Sequence, residues 1–246
     1  MPDPKNDSPV AHATAPGPWI AALAALVLIF SSVSISVAEA DTTPPVAAVD
    51  AQPDDVLVQL GDQTVTREQF EQEFAIAARS TALQQGMEPT PELLAEFDAF
   101  RPQFLDQLAT QLVLVQHADE IGVRAETEEV DEVVEQVRTA QVDEAGFEQY
   151  LETSGFADEA ALRAVIERSM SVQNVIETLS ADIEVTDAEI EAWYEANQDQ
   201  VLTPEGPLPL DAIRDEIASI IVQEQVDERV QEIVATAPLE VYVDRL

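Results

Sequence analysis

Apolar residues along this chain switch between two spacings. In "VLVQLGDQTVT" (56–66), Val56, Val58 and Leu60 alternate with other residues, the two-residue period of a strand with one buried face. Gly61-Asp62 suits a two-residue turn with glycine first, so a small hairpin is predicted. At the far end, "PLEVYVDRL" sets Leu239, Val241 and Val243 against Glu240, Tyr242 and Asp244, again a strand pattern. A hairpin alone is marginal in water. The two ends of the folded part are therefore expected to meet in one small sheet.

Everything between them is spaced as helix. Thr66 reads as an N-cap with Gln69 reaching back, and Phe70, Phe74 and Ala77 follow over about a dozen residues. Pro89 and Pro91 open a short helix carrying Leu93, Leu94, Phe97 and Phe100. Pro102 belongs in the first turn of the next, where its missing N–H costs nothing. That helix shows Leu105, Leu108, Leu112, Val115 and Ile121 as a stripe ended by Gly122. Thr127 is expected to cap a helix with Val130, Val133, Val134 and Val137 on one face. "GFEQYLETSGF" displays Phe147, Tyr150 and Leu151 before Gly155 stops it. From Asp158, a longer helix runs through Leu162, Val165, Ile166, Met170, Val172, Ile176 and Leu179. Thr186 caps another, and Ile213, Ile217, Ile220, Val226, Val230 and Ile233 mark the last. The fold class is mostly α, a multi-helix module closed by an N-terminal hairpin and a C-terminal strand.

Composition supports that class. Aromatics are 5% and glycines number 7 among 246 residues, while 46% of the chain is apolar, enough for a core built from slender helices. Charge removes one class of function. The net value is -38, and the single lysine is Lys5, so no basic patch exists to neutralise phosphates and nucleic acid is not an expected partner. The acid excess reads as a solvated surface, with adaptation to high salt as the sharper alternative. Cysteine is absent, which excludes disulfides, thiol nucleophiles and cysteine-based zinc sites.

Ser8 to Ala38 contains no Asp, Glu, Lys or Arg, and "WIAALAALVLIF" (19–30) is an unbroken apolar run. Residues 1–40 thus read as a signal peptide cleaved after Ala38-Glu39-Ala40, or as an anchor retained through residues 19–38. Either reading places the remainder outside the cytoplasm, and contact with a membrane is expected through 19–38 alone. Residues 41–55, "DTTPPVAAVDAQPDD", read as a disordered, semi-stiff linker. The folded module is expected over 56–246.

Four stretches, "VLVQLGDQTVTREQF", "FLDQLATQLVLVQHADEIGV", "VTDAEIEAWYEANQDQ" and "PLPLDAIRDEIASIIVQEQVDERVQEIVATAPLEVYV", together resemble the SurA and PrsA type of exported chaperone and foldase, and the wider trigger-factor-like modules. In many such proteins a parvulin-type prolyl isomerase domain lies between the last two stretches. Even a minimal domain needs about 50 residues. Here only Val201 to Leu210 stands there, with Pro204, Pro207 and Pro209, so the insert is read as absent and the proline-rich seam occupies its place.

The resemblance implies an extracytoplasmic, ATP-independent holdase for unfolded or nascent exported proteins, without isomerase activity. A membrane-tethered adaptor for one defined partner and a surviving prolyl isomerase are the alternatives. The residues offer little for catalysis: after the leader there is one histidine, His117, expected in a structural or surface role, and motifs for nucleotide, zinc or EF-hand calcium sites are missing. No catalytic residue, cofactor or metal is expected, although weak divalent-cation binding to "AETEEVDEVVEQ" is conceivable on charge alone. Phe97, Phe100, Phe104, Phe147, Tyr150, Phe156, Trp193 and Tyr194 serve either core packing or, if several line a concave face, the grip on a client's apolar segment.

Overall fold

The computed structural model describes residues 52–203 and 206–246. The leader (1–40) and the linker up to residue 51 lie outside the described residues. Strand β1 (Val56–Leu60) and β2 (Gln63–Thr66) form the hairpin. Helices α1 (Arg67–Gln84), α2 (Pro91–Glu96), α3 (Arg101–Ile121), α4 (Thr127–Thr139), α5 (Glu144–Ser154), α6 (Glu159–Ala181) and α7 (Asp187–Ala196) follow. Strands β3 (Leu202–Thr203) and β4 (Gly206–Pro207) occupy the seam, and α8 (Leu210–Thr236) leads into β5 (Leu239–Val241).

The chain ends do meet. The sheet order is β2-β1-β5, antiparallel throughout, with Val58 opposite Val241 and Leu60 opposite Leu239. Gly61, at φ 57, supplies the left-handed turn residue that the hairpin requires. The strict alternation expected for β1 does not hold, because a bulge between Val56 and Val58 turns both Leu57 and Val58 into the core. Strand β5 stops at Val241, leaving Val243 exposed in a short 3-10 turn. There Arg245 packs over the Tyr242 ring and donates from Nη1 to the Val56 carbonyl at 2.8 Å. The folded part begins slightly before Val56: the Pro53 and Asp55 carbonyls accept from the Glu68 and Arg67 N–H groups.

Caps account for most helix boundaries. Thr66 and Gln69 form the expected capping box, and α1 then runs for 18 residues, longer than its apolar spacing suggests. Helix α4 starts one residue earlier than expected. Its cap is Glu126, whose N–H donates to Glu129 Oε2 at 3.0 Å, and Thr127 is already helical. Helices α3 and α5 end at Gly122 and Gly155 as expected.

Four apolar clusters share the interior. Sheet, α1 and α3 enclose Leu57, Val58, Phe70, Leu105 and Leu108 in a chain-end lobe. Helices α4, α5 and α6 enclose Val134, Phe147, Phe156 and Leu162 in a middle lobe. A third cluster joins α3, α6 and α8 around Leu114 and Val175, and a fourth joins α7 to α8 around Ile190 and Ile217. Helix α3 packs against β1, β5, α6 and α8, so it is buried on more sides than one stripe can describe. Leu114 and Ala118 enter the core beside the expected Leu105 and Leu108, whereas Ile121 is exposed. In α8 the backbone leaves helical geometry at Ile213 (φ -128). The face turned inward beyond that point carries Ile217 and Ile221, and the expected Ile220 is exposed.

Candidate functional site

Helix α1 presents Phe70 and Phe74 four residues apart on its buried face. Helix α3, lying alongside, contributes Phe104. The Phe104 ring meets the other two edge-on, at centroid separations of 5.7 and 5.4 Å, while Phe70 and Phe74 lie nearly parallel at 5.9 Å. Such pairs add about 0.5–1.5 kcal/mol beyond the area they bury.

Arg101 covers this cluster. Its guanidinium carbon sits 5.2 Å from the Phe70 centroid and 5.0 Å from that of Phe74. Glu71 holds it by an ion pair, and Asp98 lies 3.6 Å away. A cation over stacked rings is attracted by their quadrupoles and keeps water off their faces.

Immediately before Arg101 the backbone tightens into a 3-10 turn, Phe97–Phe100. Its three-residue period places positions 97 and 100 on one side, and the two rings lie 6.5 Å apart. Phe97 packs half-buried against the chain-end core. Phe100 is 55% exposed. The aromatic residues of this lobe thus grade from a buried base, through a half-buried step, to a ring in solvent. Glu92, Glu96 and Asp98, close to it in sequence, are exposed, and no Lys or Arg occurs between Arg79 and Arg101.

The other aromatics singled out in the sequence lie elsewhere. Phe147 and Phe156 are buried in the middle lobe, with Tyr150 packed half-buried against them. Burial pushes the Tyr150 phenol above its ordinary range, partly offset by its hydrogen bond with Ser154. Trp193 and Tyr194 are half-buried between α7 and α8. The Tyr194 hydroxyl donates to the Leu208 carbonyl at 2.6 Å and so ties α7 to the seam, where Leu202 pairs with Pro207 and Thr203 with Gly206. The eight positions thus fall into three places: Phe97, Phe100 and Phe104 at the chain-end lobe, Phe147, Tyr150 and Phe156 in the middle lobe, and Trp193 with Tyr194 between α7 and α8. The residue that sequence reasoning missed is Arg101. A signal for it exists, since it is the single Lys or Arg between residues 80 and 123 and directly follows Phe100, four residues after Phe97.

His117 is half-buried on α3 with Nδ1 3.6 Å from Glu120 Oε2. Among the described residues no group of three or more His, Cys, Asp or Glu side chains is placed to hold a metal ion. No described helix is long and apolar enough to cross a membrane.

Comparison with known proteins gives this arrangement a context. Proteins named Foldase protein PrsA, from Clostridium botulinum strain 657 (type Ba4) and strain Langeland (type F), are each 29% identical to the chain over 103 residues. The match covers 40% of this chain and 30% of each relative, so the chain aligns with less than a third of their length. A family profile described as SurA-like N-terminal domain matches residues 15–176, from within the charge-free stretch Ser8 to Ala38 into α6. The seam, α8 and β5 lie beyond that match, yet β5 closes the sheet on β1. The chain belongs to the SurA-like N-terminal domain family.

Proposed function

We propose that the chain is an extracytoplasmic, ATP-independent holdase that binds unfolded or partly folded exported polypeptides and performs no prolyl isomerisation. Family membership and the likeness to proteins named foldases support a role in protein folding. The finer reading rests on Phe100, a large aromatic ring 55% exposed at the top of an otherwise buried aromatic cluster. Exposing such a ring forfeits burial energy and invites association, so it fits a surface built to contact another apolar chain. Phe97 and Phe104, anchored in the chain-end core, supply the rigid backing.

Two further observations agree. Among the described residues of the seam, Val201 ends a 3-10 turn (Gln198–Val201), Leu202 and Thr203 pair with Pro207 and Gly206, and the Leu208 N–H is bonded to the Val201 carbonyl at 3.0 Å. The ten residues from Val201 to Leu210 fall far short of the about 50 that a minimal domain needs, which supports the reading without isomerisation. The charge-free stretch from Ser8 to Ala38 supports export, and mass spectrometry of the exported N-terminus distinguishes cleavage from anchoring.

The test is light scattering from a chemically denatured client diluted with and without the chain, in the absence of nucleotide. Suppression of aggregation at near-equimolar ratios is expected. Unchanged scattering over a range of ratios eliminates the holdase, and a pull-down dominated by one stoichiometric partner points to an adaptor instead. A proline-peptide assay checks the second half of the claim, with the uncatalysed rate as the expected result.

A further inference from the structure

Accepting the holdase reading, we propose that the shelf formed by Phe97 and Phe100 selects cationic apolar segments: stretches of non-native chain in which aromatic or aliphatic residues are flanked by lysine or arginine. The apolar part of the argument is the exposed Phe100 ring beside half-buried Phe97. The selective part is the charge around them. Glu92 and Glu96, one helical turn apart on α2, are exposed and make no ion pair among the described residues, and Asp98 lies between the two rings in sequence and is exposed.

Within this rim only Asp98 has a cationic partner, Arg101, and Glu92 and Glu96 have none among the described residues. Arg101, the nearest cation in sequence, is committed to Glu71, Asp98 and the faces of Phe70 and Phe74. Most other arginines are committed likewise: Arg67, Arg124, Arg138, Arg163, Arg168 and Arg214 are each bound to a carboxylate of the chain itself, while Arg79 lies on α1 beside Gly155. Arg229 and Arg245 are spent on backbone carbonyls. An incoming segment therefore meets two carboxylates, Glu92 and Glu96, that hold no internal cation among the described residues. A basic flank gains contacts with Glu92 and Glu96, while an acidic flank beside the same apolar residues is repelled. In a chain of net charge -38 the long-range field favours basic clients generally. The shelf adds a local preference, since it holds charge and apolar contact within reach of one short segment.

The experiment uses the full chain and three labelled peptides that share a central run of Phe, Leu and Ala, flanked on both sides by paired lysines, serines or glutamates. Dissociation constants come from fluorescence anisotropy at about 0.15 M salt, where surface charges act over roughly 8 Å. The expected order is lysine tightest, then serine, then glutamate, spanning about tenfold, the size of one or two surface ion pairs. The double substitution E92Q/E96Q shrinks that span to about twofold while leaving the serine peptide unchanged. E128Q/E132Q, an equal change of charge on exposed positions of α4, leaves the span intact. Phe100→Ala weakens all three peptides alike.

Equal loss of the span in both double variants would assign the preference to the overall field and overturn the shelf. Equal binding of all three peptides with sensitivity to Phe100→Ala overturns charge selection and leaves the holdase standing. If no peptide binds although the chain still suppresses aggregation, the shelf is not the client site. If neither occurs, the holdase reading itself falls.

Discussion

The chain-end and middle lobes each place an arginine over phenylalanine, with opposite results. In the middle lobe, Arg138 lies 4.3 Å from the Phe147 centroid. Glu144 holds it at 2.7 Å, Glu135 at 3.7 Å, and Glu159 completes the set, so carboxylates from α4, α5 and α6 converge on one guanidinium. The ring beneath is only 2% exposed, and Phe156 is buried with it. In the chain-end lobe, Arg101 covers Phe70 and Phe74 but leaves Phe100 outside. The same pair of residue types seals one lobe and divides the other into core and surface. What an aromatic residue does here depends on which side of the arginine it falls.

That contrast breaks first at Phe147. Truncating a fully buried ring removes its burial and leaves a cavity, so Phe147→Ala is expected to cost about 3–5 kcal/mol. Urea unfolding followed by circular dichroism measures it. A loss below about 1 kcal/mol, the level of an ordinary surface change, would mean that the middle lobe re-forms without its ring and is not the sealed unit described.

A smaller effect is expected where the lobes touch. Gly155 ends α5 at φ +87, and a Cβ added there would stand 2.8 Å from Nη1 of Arg79 on α1. The guanidinium is the far end of a flexible side chain and can retreat, so the backbone conformation dominates. Gly155→Ala should destabilise by about 1–2 kcal/mol, the cost of a left-handed residue with a side chain. Repeating the substitution in an Arg79→Ala background separates the parts: most of the loss persists there if strain is its origin, and disappears if the steric contact is.

The chain-end closure was legible from sequence because two-residue alternation at 56–60 and 239–243 left two strands with no other partner. Thr66 with Gln69, Gly122 and Gly155 marked their helix ends for local reasons that tertiary packing does not override. Burial on α3 and α8 was less legible. Leu114 and Ile221 are inside, whereas Ile121 and Ile220 are outside, since α3 is covered on several sides and α8 changes direction at Ile213. A single stripe cannot express either situation. The aromatic shelf was half legible. Phe97, Phe100 and Phe104 stood out as candidates together with five others, but only the 3-10 turn and the position of Arg101 separate the exposed ring from the buried ones. Neither follows from helical periodicity.

Capping boxes carry the comparison of the two ends of the chain to pH. Helix α1 is closed by Thr66 with Gln69, and α7 by Thr186 with Glu189. The Thr186 hydroxyl and N–H each donate to Glu189 Oε2 at 2.7 Å, holding that carboxyl below its ordinary range, with the hydroxyl the larger cause. A carboxyl lowered by folding stabilises the fold above its unfolded-state value, and loses that contribution as pH falls through its folded-state value. Glu189→Gln should therefore be less stable than the parent at neutral pH and equal to it in acid. Gln69→Glu should create the same dependence at α1. Thermal melts of both pairs across the acidic range check this. A Glu189→Gln difference independent of pH would show that the carboxylate's charge contributes nothing to the cap.

The smallest change in stability is expected at the residue that carries most of the functional reading. Phe100 touches Phe97, but more than half of its surface is already in water, so Phe100→Ala leaves no cavity and should alter unfolding stability by no more than about 0.5 kcal/mol. Its effect on function should be large by comparison, with aggregation suppression reduced severalfold at an unchanged melting temperature. Phe104→Ala, in the same lobe but locked against Phe70 and Phe74, should do the reverse at first order and lower stability before it alters client binding. If Phe100→Ala instead unfolds the lobe, the ring is a structural wedge and the division at Arg101 is misplaced. If it changes neither stability nor suppression, the grip on client lies at another surface, and the exposed Leu208 in the seam and Ile220 on α8 become the next positions to truncate.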